Sequence, residues 1–359
     1  MKIHSRYIAD LADVRTQREL WTHVQTAIEL EHATIPPYLC GYFTIKQGSN
    51  KEASDIIRSV VIEEMLHLSI ASNLLLALGG SPNINGANFV PTYPHDLPMG
   101  IGDHHLVHLR KCSVEQVEKV FMMIEEPEEP RAIPVSNLKT AALAAEQEFD
   151  TIGAFYAALA DKIVELGSDI TWHTDKQNVA SRWFPNPEEM FLIDSVEKAK
   201  AAITVIVNQG EGADLGQDPF DMEGAPAHYY RFEQIVKGKK LIVNPPGQTP
   251  RYVYGGAPVT LDMNEVWDMD DDPKVANYKP GSDSYRLATQ FNYSYTKLLN
   301  AIHRAFNGEP EYIDHAMGVM YELRFLAQQT LATKAEWADP SNESQKQTGL
   351  SFEYQPINI

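Results

Sequence analysis

The chain has 359 residues, 43% of them apolar, and sets 30 basic against 49 acidic side chains for a net charge of −19. That length supports one large domain or two ordinary ones with a sizeable core, and so acidic a surface repels nucleic-acid phosphates and anionic membranes. Two cysteines, Cys40 and Cys112, are too few for a disulfide framework. The charged opening stretch lacks the apolar segment of a signal peptide, and no run approaches the roughly 18 apolar residues of a membrane span. A cytoplasmic protein without nucleic-acid or membrane partners is expected.

Helical periodicity runs from 17 to 47 and stops at Gly48. The tandem Pro36-Pro37 predicts a kink or a split there, because each proline removes a helix donor. A second helix spans 51–78 and is ended by Gly79-Gly80 and Pro82. Residues 81–112 read as loop, and a short helix over 113–125 opens at Ser113. The stretch EEPEEPRAIP follows as a linker whose four acids read as solvated surface. A third long helix is expected over 137–166, a fourth over 195–209 behind the capping-box pattern DSVE, and a fifth over 225–237. Residues 239–281 are irregular, with KLIVN and RYVYGG as short strands. Within them, WDMDDDPK lacks the glycine and closing glutamate of a calcium loop and reads as a solvated turn. A final helix pair occupies 284–306 and 310–332, joined by NGEP, and the tail is extended. No fixed-period repeat is visible. The expectation is an all-α single domain: a four-helix bundle over about 15–238, an irregular insertion over 239–283 and an extra C-terminal helix pair over 284–335.

Acids on apolar stripes are the first place to look for chemistry. On the first helix the stripe Leu20, Val24, Ile28, Glu31, Ile35, Tyr38, Tyr42 is interrupted by Glu31. Glu29 and His32 share the opposite face with Thr22 and Gln25, so their Glu-x-x-His spacing reads as solvated or supporting. On the second helix Glu64 and His67, three residues apart and therefore neighbours in space, interrupt Ile57, Val60, Val61, Leu68, Ala71 and Leu74. Glu63 lies off that stripe, beside Ser59. On the third, Glu148 shares a stripe with Leu138, Ala141, Ala145, Ile152 and Phe155, while Glu146 falls on a more mixed face and is kept in reserve. Glu211, just beyond the fourth helix, and His228, at the start of the fifth, complete the candidates.

Burying several ionised carboxylates without partners costs several kcal/mol each. A cation answers that cost, and a Glu from one helix with a Glu-x-x-His from another is the ligand pattern of di-iron and di-manganese bundles. Oxygen and imidazole donors suit iron or manganese. The competing reading pairs the acids with Arg58, Arg131, Arg182 or Arg231. Tyr38, Tyr42, Tyr156, Tyr229 and Tyr230 lie near the candidates and read as core. Cys40 reads as a small core residue, and His104, His105 and His108 as a surface loop.

The motifs ELEHATIPPYL, EEMLHLSIASNLLLALGG, EFDTIGAFY, NQGEGA and AHYYRF, in that order, resemble the ferritin-like domain family named after iminophenyl-pyruvate dimer synthase. FNGEPEYIDHAMGVMYELRFLA and TGLSFE extend the resemblance over most of the chain. It implies a ferritin-like bundle with a metal site formed by Glu31, Glu64, His67, Glu148, Glu211 and His228. It further implies an oxidoreductase with about two irons per chain, or manganese in their place, acting with O2 on a small organic molecule. The chain is much shorter than those synthases, so their substrate is not carried over. The alternative is a non-enzymatic iron-binding protein of the same fold. A homo-oligomer is compatible with either.

Overall fold

In a computed structural model, residues 2–101, 106–127, 130–135, 149–213 and 218–356 are described. After a short strand β1 (Lys2–His4) and helix α1 (Arg6–Ala12), two long antiparallel helices form the centre: α2 (Leu20–Thr44) and α3 (Lys51–Ala77). The turn between them uses left-handed backbone at Gly48 and Asn50, which glycine adopts freely and asparagine more readily than most residues. By length and composition α3 could cross a membrane, but 83% of its most apolar stretch is buried inside the fold. That burial marks it as a core helix.

The prolines do not split α2, which passes through Pro36 and Pro37 as one helix. Pro37 cannot donate to the carbonyl of Ala33, four residues back. The hydroxyl of Tyr93, from the loop after α3, donates to that carbonyl at 2.9 Å instead. A buried acceptor that the helix cannot satisfy is thus satisfied from outside it.

The short helix expected over 113–125 forms as α4 (Val114–Gln116), a π-helical stretch (Val117–Phe121) and α5 (Met122–Ile124), capped by the Ser113 hydroxyl, which accepts from the Gln116 amide at 3.0 Å. A Cβ on Gly41 of α2 would lie 2.7 Å from the Phe121 ring, so glycine lets this segment press against α2. Of the third helix expected over 137–166, residues 137–148 lie outside the described residues; α6 is Ile152–Leu166, and Phe149–Thr151 is a strand, β2, antiparallel to β1. Thr151 ends the strand and caps α6 by accepting from the Ala154 amide at 3.1 Å. The helical reading of 149–151 is corrected by this pairing with the chain's first residues.

Two further helices close the bundle, α7 (Val196–Glu211), capped by Ser195, and α8 (His228–Lys237). A β-hairpin, β3 (Lys239–Val243) with β4 (Tyr252–Pro258), occupies the irregular insertion. The antiparallel pair α9 (Asp283–Ala305) and α10 (Tyr312–Ala332) packs on the side of α2, where the Gln328 side chain donates to the Phe43 carbonyl at 2.8 Å. The two central helices therefore have two different neighbourhoods: α6, α7, α8 and the α4–α5 segment on one face, α9 and α10 on the other.

Candidate metal centre

Five buried side chains converge between α2, α3, α5 and α8. Glu31 comes from α2, Glu64 and His67 from α3, Glu125 from the residue that ends α5, and His228 from the first turn of α8. All are at most 2% exposed. They form two groups, Glu31–Glu64–His67 and Glu64–Glu125–His228, within each of which the possible ligand atoms lie within 4.8 Å of one another. Glu64 belongs to both. His67 Nδ1 is 3.6 Å from Glu31 Oε2 and 3.9 Å from Glu64 Oε1. His228 Nδ1 is 2.9 Å from Glu64 Oε1 and 3.6 Å from Glu125 Oε2.

Each carboxylate has one oxygen pinned and the other turned to the centre. Glu31 Oε1 accepts from the Tyr156 hydroxyl at 2.6 Å, and Glu64 Oε2 from the Thr34 hydroxyl at 2.9 Å. Glu125 Oε1 accepts from the Tyr38 hydroxyl. Glu31 Oε2, Glu64 Oε1 and His228 Nδ1 are buried and have no hydrogen-bond partner.

Both imidazoles are set by a partner behind them. His228 Nε2 lies 2.9 Å from Glu63 Oε2, and Glu63 is itself held by Arg231 Nη1 at 2.7 Å. His67 Nε2 lies 2.9 Å from Gln209 Oε1, and the Gln209 amide nitrogen donates to Glu189 at 2.8 Å. Carboxylate and amide oxygens only accept, so each Nε2 carries a proton, and each Nδ1, in the neutral imidazole, presents a lone pair to the cluster. Donation of the distal N–H to an oxygen acceptor is how metal-ligating histidines are oriented. His228 Nδ1 and Glu64 Oε1 then face each other as two acceptors. They are not aligned as a hydrogen bond, whereas a cation requires only that they converge.

Burial and the neighbouring Glu125 charge push Glu64 up to about 7, against the pull of His228. Burial would lower His228, but the carboxylates of Glu125, Glu63 and Glu64 around it raise it well above its ordinary value. Burial also opposes ionisation of Glu63, yet His228 and Arg231 hold it down to about 2. Among the described residues no lysine or arginine forms an ion pair with Glu31, Glu64 or Glu125. Arg231 serves Glu63, so the arginine reading does not extend to these three acids. Orphaned ligand atoms, oriented imidazoles and carboxylates without a lysine or arginine partner fit a bound metal, and the oxygen and nitrogen donors fit iron or manganese.

Of the residues expected from sequence, the structure brings together Glu31, Glu64, His67 and His228. Glu211, in the last turn of α7 and 4% exposed, lines the same small cavity of about 10 Å³, room for about one water. Its Oε1 accepts from the Gly153 amide at 2.9 Å. A Cβ on Gly153 would sit 2.3 Å from Glu211 Oε2, so glycine permits this approach. Glu148 and Glu146 lie outside the described residues, as do His104 and His105. Glu29 is half-buried and bonded to Gln25. His32 is buried, not solvated, because α9 covers its face.

Glu125 is the residue that sequence reasoning missed. Read as part of a solvated acidic run, it is 1% exposed. Its signal was the spacing Val117, Phe121, Glu125, in which the acid continues a buried stripe.

A helical bundle whose carboxylates and imidazoles converge in its core has a side-chain arrangement that could hold a metal. The Ferritin-like family model matches residues 24–237, more than half of the chain and all five converging residues. The chain belongs to that family. A ferritin-like protein from Caulobacter vibrioides, known from a crystal structure at 1.95 Å resolution, is 22% identical. It superposes with a TM-score of 0.57 over 95% of this chain and 99% of its own, so the shared fold includes the C-terminal helix pair. No curated protein sequence matches the chain.

Proposed function

We propose that this protein is a non-haem metal-dependent oxidoreductase, with iron as the favoured metal, that acts with O2 on a small organic molecule. The carrying observation is the convergence of two buried ligand groups on one shared carboxylate, Glu64, with donor atoms that nothing else satisfies. Glu31, Glu64 and His67 would hold one metal, and Glu64, Glu125 and His228 a second. Glu211 and Glu148 are proposed to complete the set. The metals would supply the electrons that O2 chemistry needs and an acceptor for substrate electrons. Tyr38, Tyr156 and Thr34 hold the carboxylates, Glu63 and Gln209 hold the imidazoles, and Ile152, Ile206 and Val207 line the space beside them. The resemblance to the iminophenyl-pyruvate dimer synthase domain family makes an amino-acid-derived substrate the class to screen first.

Elemental analysis of protein expressed with iron and manganese tests the reading. About two metals per chain, lost together in Glu64→Ala, is the expected result. A folded protein without metal would overturn it. A second reading, iron oxidation without an organic substrate, is favoured by the small size of the described cavity. Oxygen uptake with Fe(II) alone, unchanged by any organic candidate, would select it.

A further inference from the structure

On the face of α2 and α3 that turns away from the metal cluster, α9 and α10 complete a cavity of about 260 Å³. None of Glu31, Glu64, His67, Glu125 or His228 lines it. Its walls are aliphatic, thioether and aromatic, including Leu39, Met65, Leu299, Met320, Phe43 and Trp183. Straight-chain methionines let such a wall adapt to a flexible guest.

Charge at the cavity departs from the rest of the molecule. In a chain with 49 acids and 30 bases, its charged lining residues are three arginines. Arg182 is held by Asp314. Arg58 and Arg324 are exposed, and among the described residues neither has an acidic partner, although Arg324 lies over the Tyr42 ring at 5.4 Å. The lining also includes His32, 2% exposed, whose Nε2 meets the Tyr295 hydroxyl at 2.7 Å and whose Nδ1 has no partner. An apolar chamber with unpaired guanidinium groups matches a molecule with an apolar body and one anionic end. Guanidinium takes a carboxylate in a paired, charge-assisted contact, while the chain gains from leaving water.

We propose that this cavity is a binding site for a single-chain apolar carboxylate, with the chain between α2, α3, α9 and α10 and the carboxylate against Arg58 and Arg324. The site is separate from the metal centre and does not depend on it.

Isothermal titration calorimetry of the full-length protein with dodecanoate tests the proposal, with dodecyltrimethylammonium as the control of equal chain and opposite charge. Saturable binding of dodecanoate is expected, at least about tenfold tighter than the cation. Arg58→Gln combined with Arg324→Gln, both exposed and tolerant positions, should weaken it about tenfold with an unchanged melting temperature. Met320→Trp, which narrows the cavity, should weaken it about tenfold or more, and Glu64→Ala should leave it intact. Equal binding of the two amphiphiles, no binding of dodecanoate, or binding unmoved in the folded arginine variant would overturn the proposal. So would a concentration-dependent dimer that Met320→Trp disrupts while dodecanoate does not bind, since a second copy would then be the occupant.

Discussion

The two central helices each carry a Glu-x-x-His, and the two pairs meet opposite fates. On α3, Glu64 and His67 face the converging carboxylates. On α2, Glu29 is half-buried beside Gln25, and His32 points to the other neighbourhood, its ring 4.4 Å from that of Phe89. Both histidines are fully buried, yet their proton affinities move in opposite directions. Burial would lower His67, but Glu31 and Glu64 beside it raise it. His32 has burial alone and is pushed down to about 3. The spacing puts an acid and an imidazole on adjacent turns. What they can do is decided by the helices that cover them: acids from α2 and α5 on one face, aromatic and aliphatic groups from α9 on the other.

The comparison breaks most visibly at the shared carboxylate. Glu64→Ala should remove both metals, whereas His32→Ala should remove neither, as read by elemental analysis of the purified proteins. Chelation should lower the stability of the wild type by about 3–4 kcal/mol, the linkage expected at 100 to 1,000 times the dissociation constant. Glu64→Ala should show no chelator effect in thermal melts. If His32→Ala lost metal as completely, the division of the helix pair into two faces would be wrong.

The next effect is on orientation. Gln209→Leu leaves His67 in place but removes the acceptor that fixes which nitrogen carries the proton. Metal affinity should fall about 10–100-fold, as for other partners behind a ligand, with circular dichroism unchanged. Tyr295→Phe, the equivalent change beside His32, should leave affinity untouched. Between the two faces lies the proline segment of α2. Tyr93→Phe withdraws the donor from the Ala33 carbonyl and should cost about 1–3 kcal/mol in urea unfolding, the cost of an unsatisfied buried acceptor.

These residues also mark how much of the molecule could be read from its sequence. The apolar stripe of 51–78 is long and regular, so α3 and the intrusion of Glu64 and His67 into it were legible from periodicity alone. The C-terminal pair was legible for the same reason. What failed depended on groups distant in the chain. Pro36-Pro37 reads as a break because the Tyr93 hydroxyl that keeps the helix whole lies in another segment. Phe149–Thr151 reads as helix because its strand partner is at residues 2–4. Glu125 was hidden by composition: it opens a run of acids, and only the burial of Val117 and Phe121 before it shows that the chain is still inside the core. His32 was misplaced because a helix wheel has no knowledge of α9, which arrives some 260 residues later.

The smallest effect is the sharpest check on the reading of faces. Glu29→Ala removes a half-buried acid whose described contact is the Gln25 amide at 3.2 Å. A single polar contact of this kind contributes about 0.5 kcal/mol or less at a partly exposed helix position. Metal content, melting temperature and dodecanoate binding should all match the wild type. The residue lies two positions from Glu31, so a variant that lost metal would mean that α2 presents a different face to the cluster, with Glu29 and His32 as the functional pair. A variant that keeps it shows that two acids one turn-fraction apart are separated by their surroundings and not by their chemistry.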